Sequence, residues 1–250
     1  MNHVLIMAGG QSSRMRASTN SNTHKALIKV FDIPLIELNI LYAYLFKFKT
    51  LWISVSVNEP DLINYIKELQ VVYECKLKIK LELLTENVPL GTIGAVQWVD
   101  CNKEPLLILN VDNLLNLNLK NLVDAHIKSG ADMTIAAHEE SFRIPFGELI
   151  THDTTIIDYL EKPLKKIFVS SGTYVLSNSA IEIVREHYRD RRIDVPLLCK
   201  TLIKSHFKVN TFPHKAIWTD INDNLSLLKT NQMEKWSLLK TIIKLRGQLN

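Results

Sequence analysis

Two cations follow a glycine pair near the start of the chain. Gly9 and Gly10 come directly after the apolar run at residues 4–8, and Arg14 and Lys25 come after the pair. Glycine lets the backbone turn sharply and approach a ligand closely, because no Cβ is in the way. Backbone N–H groups and two cations suit a polyphosphate. The stretch predicts a phosphate site. The alternative is a tight turn with two surface cations, since short glycine motifs also match by chance.

Two aspartates stand at the ends of predicted strands. Asp112 follows the almost wholly apolar run at residues 105–109, and Asp220 follows Trp218 at the end of a second, short strand. Ligands of open α/β sheets bind outside the carboxyl ends of the strands, so Asp112 is a candidate metal or ligand residue. The alternative for Asp112 is turn capping. Two such carboxylates could share Mg2+, which prefers oxygen ligands, provided that the fold brings them together.

A further charged pair, Glu161 and Lys162, stands before Pro163 at the end of another predicted strand. A lysine can meet a phosphate as a point charge, and a glutamate can accept hydrogen bonds from sugar hydroxyl groups. The alternative is an ordinary turn in which proline ends the strand.

The composition is that of a globular protein. Of the 250 residues, 46% are hydrophobic and 22% are charged, which allows one large domain with a full core. The net charge of +4 is mild. The arginine cluster at 185–192 is interrupted by acidic residues, as on a solvated helix face. We therefore expect no nucleic-acid partner.

Cysteine usage and hydropathy indicate the compartment. Cys75, Cys101 and Cys199 are odd in number and far apart, which is typical of reduced thiols. The sequence has no run of about 18 apolar residues, and it enters a strand without the charged and apolar regions of a signal peptide. We expect a cytoplasmic protein with no membrane partner.

Strand-like and helix-like segments alternate through the first part of the chain. Strands are predicted at residues 4–8, 51–57, 77–84, 105–109 and 133–137, and helices at 33–48, 61–69, 89–98 and 119–129, the last closed by Gly130. This alternation predicts an α/β fold with a Rossmann-like, doubly wound and mostly parallel sheet. The polar stretch at 17–24 is interpreted as a loop that closes over a ligand.

The second part of the chain changes character. Strands at 146–150, 156–161 and 168–176, joined by short turns, predict an antiparallel annex. Helices at 180–188 and 196–204 follow, and then a strand at 207–212. An apolar helical face closes the chain and includes Leu225, Leu228, Trp236, Leu239 and Ile243. We expect one domain in three parts, at 1–140, 141–221 and a C-terminal helix at 222–250.

A series of short motifs stands in a fixed order along the chain. They are AGGQSSRM at 8–15, HKAL at 24–27, ENVPLGTIGA at 86–95, LILNVD at 107–112, PFG at 145–147, EKP at 161–163, SGTYV at 171–175 and WTDI at 218–221. Over roughly residues 1–232 they resemble the sugar-1-phosphate nucleotidyltransferase family, closest to its mannose-, heptose- and amino-sugar-1-phosphate guanylyltransferase branch. One such motif is weak, whereas the set in this order is specific.

The resemblance implies a reaction and a set of roles. A sugar-1-phosphate oxygen would attack the α-phosphorus of a nucleoside triphosphate and release pyrophosphate, with Mg2+ as cofactor. Of the implied catalytic residues, Arg14 and Lys25 would hold the triphosphate, Asp112 and Asp220 the Mg2+, and Lys162 the sugar phosphate. The implied nucleotide-binding residues are Ala8, Gly9, Gly10, Ser12, Ser13, Glu86, Gly91 and Thr92, and the implied sugar-binding residues are Gly147, Glu161, Ser170 and Gly172. Residues 1–140 would bind the nucleotide, and residues 141–221 the sugar phosphate.

Glu86 bears on the base. Guanine offers N1–H and an exocyclic NH2 group on one edge, and a carboxylate can accept from both. Uracil or thymine would set acceptors against it. Glu86 stands five residues before Gly91, where pyrimidine-using members of the family tend to carry glutamine. We therefore favour GTP, and the alternative is that Glu86 is a surface residue at a strand end.

The chain departs from the family pattern at several places. Ser12 replaces a glycine, Ala26 a proline and Val111 the glycine before the metal aspartate, while Ser170 replaces an asparagine and Asn222 a glycine. Ser170 leaves the sugar open, and Ser12 and Val111 bear on the rate because both narrow the space near the nucleotide. The charged residues are all kept.

Two alternatives to this enzyme stay open. One is a diverged, non-catalytic homologue that binds a nucleotide sugar. The other is a transferase of the same fold with a CTP or UTP donor or a non-sugar phosphate acceptor. In each case we expect a monomer or a small homo-oligomer.

Overall fold

The computed structural model describes residues 2–10, 23–221 and 236–249. Its strands, in chain order, are β1 (His3–Ala8), β2 (Lys29–Val30), β3 (Ile33–Pro34), β4 (Thr50–Ser56), β5 (Lys80–Glu86), β6 (Leu106–Asn110), β7 (Asn113–Leu115), β8 (Met133–Arg143), β9 (Glu148–His152), β10 (Thr155–Leu160), β11 (Leu164–Leu176), β12 (Val209–His214) and β13 (Trp218–Asp220). Its helices are α1 (Leu35–Leu45), α2 (Pro60–Leu77), α3 (Leu119–Ser129), α4 (Asn178–His187), α5 (Val195–Lys204) and α6 (Ser237–Leu249). Short 3-10 turns cover Lys25–Leu27 and Gly94–Trp98. None of these described helices has the length and apolar character that crossing a membrane requires.

Seven strands form the central sheet in the order β12–β8–β11–β6–β1–β4–β5. β1 runs parallel to both β4 and β6, β5 runs parallel to β4, and β12 runs parallel to β8. β11 alone in this sheet is antiparallel, to β6 on one side and to β8 on the other. The α/β, Rossmann-like and mostly parallel sheet is thus confirmed. β8 crosses the boundary expected between residues 140 and 141, so both parts of the chain share one sheet.

The central strands are buried on both faces. In β1, Val4 and Ile6 belong to one apolar cluster, and Leu5 and Met7 belong to the other. The first cluster includes residues of α1, α2 and α6, and the second includes residues of α4, α5 and the 3-10 turn at Gly94–Trp98. Because successive side chains of a strand point to opposite faces, helices cover the sheet on both sides.

Two predicted helices have different limits for identifiable reasons. The helix expected at 33–48 begins at Leu35, because β3 pairs with β2 as a short antiparallel ladder. The helix expected at 61–69 continues to Leu77, and its added turns bury Tyr73 and Leu77 in the first cluster. β5 therefore begins at Lys80, three residues later than predicted.

The helix expected at 89–98 is wrong. Gly91 has φ +86°, which lies outside the helical region, and only Gly94–Trp98 forms a 3-10 turn. The backbone of this segment pairs with Ile193 instead: Ile193 N–H donates to the Leu90 carbonyl at 2.8 Å, and Ile93 N–H donates to the Ile193 carbonyl at 3.3 Å. A contact between distant parts of the chain replaces the local helix.

Other predictions fare differently. The helix at 119–129 is confirmed, with Gly130 closing it at φ +61°. In the predicted C-terminal face, Trp236 and Leu239 are buried, whereas Leu225 and Leu228 lie outside the described residues. Most of the polar stretch at 17–24, interpreted as a closing loop, also lies outside them.

Helix α6 is held to α1 and α2 by one buried carboxylate. Glu37 of α1 has a side-chain exposure of 3% and accepts a hydrogen bond from Arg246 Nε of α6 at 2.8 Å. The phenols of Tyr65 and Tyr73 in α2 also donate to Glu37, Tyr65 at 2.7 Å. Burial, together with the Glu37 carboxylate, raises the pKa of both phenols. A buried charge with several donors ties α6 to α1.

We expect Arg246→Met to lower the free energy of unfolding by about 3 kcal/mol, because the buried Glu37 carboxylate loses its counter-ion. Urea unfolding followed by circular dichroism measures the change. Lys244→Met, an exposed position on the same helix, is the control and should change little. The double variant Glu37→Gln/Arg246→Met should lose less than the two single losses added together. A loss below about 1 kcal/mol for Arg246→Met would contradict this account.

Candidate active site

A cavity of about 330 Å3 lies at the carboxyl ends of β1, β5 and β6. This is the edge of an open α/β sheet at which ligands bind. Its lining residues come from those strand ends, from the segment after β5 and from the segment before α5. They are Met7, Gly9, Gly10, Lys25, Glu86, Pro89, Gly91, Thr92, Asn110, Asp112, Arg192 and Asp194.

An ion pair between Lys25 and Asp112 lies at one end of the cavity. Lys25 Nζ donates to Asp112 Oδ2, and the two side chains are 20% and 13% exposed. The other carboxylate oxygen, Oδ1, accepts from Asn113 Nδ2 at 3.1 Å. Two residues predicted from distant motifs are therefore direct partners. A cation and a carboxylate now stand side by side where phosphate and metal binding were expected.

Asp220 lies beside this pair. β13 pairs antiparallel with β7, which places Asp220 opposite Asn113, and Ile221 N–H donates to the Asp112 carbonyl at 2.9 Å. Burial raises the pKa of the Tyr174 phenol, and the charges of Asp112 and Asp220 raise it further. The strand pairing and the backbone hydrogen bond thus bring residues 112 and 220 next to each other, although Asp220 is not among the residues that line the cavity.

The oxygen donors around the Lys25–Asp112 pair are of the kinds that Mg2+ prefers. Asp112 and Asp220 supply carboxylates, and the amide oxygen of Asn110 is buried without a hydrogen-bond partner among the described residues. Carboxylate and amide oxygens are the ligands that this ion accepts, and it keeps further positions for water and phosphate oxygens. Gly172 lies against the side-chain amide of Asn113, and a Cβ at residue 172 would collide with it.

His24 holds the backbone next to the Lys25–Asp112 ion pair, a role that the sequence did not predict. Its Nδ1 accepts from Ala26 N–H at 3.1 Å, so Nε2 carries the proton and donates to the Gly10 carbonyl at 2.9 Å. His24 is 2% exposed. His24 therefore holds the end of the glycine turn next to Lys25. Its place directly before Lys25 was the signal available in the sequence.

Glu86 is buried, which excludes the interpretation that it is a surface residue. It is 2% exposed and lines the cavity from the end of β5. The Ser54 hydroxyl donates to its Oε1, and Leu90 N–H donates to Oε2 at 3.0 Å. Gly9 leaves the room for this carboxylate, since a Cβ at residue 9 would collide with it. Two donors fix the direction in which the Glu86 carboxylate faces.

Gly91 and Thr92 are clamped to the segment before α5. Thr92 N–H donates to Asp194 Oδ1 at 2.8 Å, and Thr92 Oγ1 accepts from Val195 N–H at 3.0 Å, at the start of that helix. A Cβ at Gly91 would collide with the Ile193 carbonyl. The Thr92 hydroxyl is therefore engaged in holding α5.

Arg192 and Asp194 are cavity residues that the sequence reasoning missed. α4 ends at His187, so Arg192 does not lie on the solvated helix face expected for the arginine cluster. Its guanidinium pairs with Asp194 Oδ2 at 3.1 Å. Burial on its own would raise the pKa of Asp194, but the Thr92 N–H group and Arg192 together hold that pKa below its usual value. Since no local pattern links residues 89–93 to 191–195, the sequence offered no signal for this wall.

The model of the nucleotidyl transferase family matches residues 3–235. The chain belongs to this family. A putative mannose-1-phosphate guanyltransferase of Sulfolobus acidocaldarius is 22% identical over 91% of this chain and 62% of its own. A probable mannose-1-phosphate guanylyltransferase 3 of Arabidopsis thaliana is 28% identical over 68% of this chain and 52% of its own. The chain thus spans between half and two thirds of the length of these curated relatives.

Solved structures show the same fold. HddC from Yersinia pseudotuberculosis, complexed with GMP-PN, has a TM-score of 0.69 at 22% identity, covering 94% of this chain and all of that one. A putative glucose-1-phosphate thymidylyltransferase from Bacillus anthracis has a TM-score of 0.70 at 16% identity, covering 93% of this chain and 95% of that one. The family resemblance read from the motifs is confirmed.

The remaining residues predicted for this nucleotidyl transferase lie elsewhere. Glu161 and Lys162 are exposed in the turn after β10 and do not line the cavity, and neither does Gly147, which lies against Tyr159. Ser170 is exposed on β11 and donates to the Tyr174 hydroxyl at 3.1 Å.

Of the predicted nucleotide-binding residues, Ala8 is buried at the end of β1 and is not a lining residue. Arg14, Ser12 and Ser13 lie outside the described residues. Their roles stay predictions.

We expect Gly91→Ala to lower the free energy of unfolding by about 2 kcal/mol or more, because a side chain meets both an unfavourable φ and the Ile193 carbonyl. Urea unfolding gives the change. Gly130→Ala is a matched control: its φ is also positive, but nothing lies within 4 Å of the added methyl group. It should cost about 1 kcal/mol. Equal losses in the two variants would show that the clamp at Ile193 contributes nothing.

Proposed function

We propose that this chain is a sugar-1-phosphate guanylyltransferase, which joins GTP to a sugar-1-phosphate and releases pyrophosphate with Mg2+ as cofactor. One observation carries the proposal: the Lys25–Asp112 pair, with Asp220 beside it, shares a cavity with the buried carboxylate of Glu86. The names of the mannose-1-phosphate guanylyltransferase relatives support the same reaction, as does the GMP-PN complex of HddC.

The proposed chemistry needs positioning and charge stabilisation. An oxygen of the sugar phosphate attacks the α-phosphorus, and the bond from that phosphorus to the pyrophosphate oxygen breaks. The attacking phosphate oxygen is already anionic, so no general base is required. The protein must bring two anions together and stabilise the charge that develops on the oxygens.

The residues of the cavity suit those two tasks. Lys25 supplies a cation at the end of the cavity, and the glycine turn held by His24 leaves space for phosphate groups. Held by Asp112 and Asp220, Mg2+ would neutralise phosphate charge when bound. At the acceptor end, Lys162, Glu161, Gly147 and Ser170 stay proposed by the motif resemblance, and the sugar is left open.

Glu86 supports guanine as the base. A carboxylate has about four acceptor positions, and Ser54 and Leu90 each take one. The rest can accept from the N1–H and NH2 groups of guanine. Adenine offers an acceptor at N1, and uracil or thymine would set carbonyl oxygens against Glu86.

Arg192 supports the same choice from the second wall of the cavity. Guanine carries acceptors at O6 and N7 on its other edge, and a guanidinium is the side chain that most often pairs with both. Arg192 lines the cavity with a side-chain exposure of 69%, so its donors are not all used by Asp194. Guanine has donors on one edge and acceptors on the other, which matches Glu86 on one wall of the cavity and Arg192 on the other.

Asp112→Asn should abolish pyrophosphate release while leaving the fold intact, because a carboxylate essential to the proposed metal and phosphate site is lost. The assay uses Mg2+, GTP and a panel of sugar-1-phosphates, and circular dichroism checks the fold. Asp124→Asn, an exposed position on α3, is the control and should keep wild-type turnover. Retained activity in Asp112→Asn would refute the two-carboxylate site.

Arg192→Met should weaken GTP binding about 10-fold and 7-deaza-GTP binding less, since that analogue keeps O6 but lacks the N7 acceptor. Glu86→Gln should reduce the preference for GTP over ATP and over ITP, which lacks the NH2 group. Isothermal titration with Mg2+ measures each affinity, and Arg191→Met, outside the cavity lining, is the control. Equal weakening of GTP and 7-deaza-GTP would mean that Arg192 does not contact N7. If the wild type bound another triphosphate more tightly, the proposal of GTP as the substrate would be refuted, while that of a nucleotidyltransferase would stand.

A further inference from the structure

Part of the molecule projects beyond the central sheet. β11 pairs with β6 only over Thr173–Leu176, and the pairing of β12 with β8 ends at His138. Beyond these points β8 and β11 pair with each other alone, and the hairpin β9–β10 connects them. We call residues 139–169 the arm.

The arm exposes apolar side chains on both faces. Ten large apolar residues in it are at least 36% exposed: Phe142, Phe146, Leu149, Ile156, Ile157, Tyr159, Leu160, Leu164, Ile167 and Phe168. Neighbours such as Ile167 and Phe168 point to opposite faces of a strand, and both are exposed. Residues 151–162 are exposed without interruption. A two-stranded hairpin of this kind is marginally stable by itself, so a covering surface is required.

The exposed area matches what a stable dimer needs. At about 200 Å2 for a fully exposed large side chain, these ten side chains present roughly 1,000 Å2 over the two faces of the arm together. A standard interface buries about 800 Å2 on each partner, whereas the largest apolar patch of a monomer is about 300–600 Å2. The arm therefore offers enough apolar area for a standard interface when the partner covers both of its faces.

The charges of the arm favour a second copy of the same chain as the partner. Lys165 pairs with Glu148 at 2.6 Å, and Lys166 pairs with Glu139 at 3.4 Å, so these charges are compensated within one chain. A two-fold axis would set each patch against itself, with apolar against apolar and little repulsion. An anionic membrane would need a cluster of cations, but the arm holds more acidic than basic residues.

We propose that the arm is a dimer interface, in which a second copy of this chain covers the exposed apolar side chains about a two-fold axis. The dimer would also fix the turn after β10, which carries Glu161 and Lys162. This proposal is independent of the reaction and of the base.

Sedimentation velocity of the full chain, over a wide range of concentration, tests the proposal. The wild type is expected to sediment as a dimer. Ile157→Lys/Tyr159→Lys places charges in the interface and should give a monomer at concentrations where the wild type is dimeric. Phe146→Lys, in the segment before β9, should act in the same direction without touching a strand ladder. Val71→Lys, an apolar position of 74% exposure on α2, is the matched control and should stay dimeric.

Circular dichroism confirms that each variant is folded. A wild type that is monomeric at every concentration would overturn the proposal, and so would folded arm variants that remain dimeric. Flotation with vesicles of phosphatidylcholine and phosphatidylserine separates the other explanation. A monomeric wild type that binds these vesicles would assign the arm to a membrane surface instead.

Discussion

The ion pair between Lys25 and Asp112 is the interaction around which the site is arranged. It joins two residues that are 87 positions apart in the sequence. Lys25 follows β1, and Asp112 follows β6, which pairs with β1 in the sheet. Each partner is held from behind, Lys25 by the His24 contact with Gly10 and Asp112 by the backbone contact with Ile221. The two opposite charges lie at the carboxyl ends of the strands and remain partly exposed to solvent. Both can therefore contact a ligand that carries positive and negative groups.

The second wall of the cavity depends on backbone shape and not on charge. Gly91 leaves the helical region, and this allows the segment before α5 to approach and bring Arg192 and Asp194 to the cavity. Glu86 belongs to both walls, because its carboxylate contacts the end of β4 through Ser54 and the clamped segment through Leu90. Close packing therefore sets the direction of a buried carboxylate, which the charge pattern along the chain does not determine.

The sequence predicted the parts of the fold that local patterns encode. Strands β1 and β6 were predicted correctly because both are apolar on both faces, and helix α3 was predicted correctly because Gly130 ends it. The motif order also placed Lys25, Asp112 and Glu86 at one cavity. The clamp at Ile193 and the position of Arg192 escaped prediction, because they arise where distant segments meet. The apolar residues of the arm predicted ordinary strands. The alternation of apolar and polar residues indicates a strand, but it does not show what covers each face of that strand.

The buried Glu37 carboxylate has a consequence for the order in which the chain acquires its structure. Its counter-ion, Arg246, stands 209 residues later. During synthesis from the N-terminus, α1 and α2 emerge long before that arginine exists, and they carry a carboxylate with no ionic partner on α6. The helical layer on this side of the sheet is therefore completed only after Arg246 has been synthesised. Contacts of such sequence separation slow folding and prolong the exposure of the apolar α1, and apolar surface exposed in this way favours aggregation.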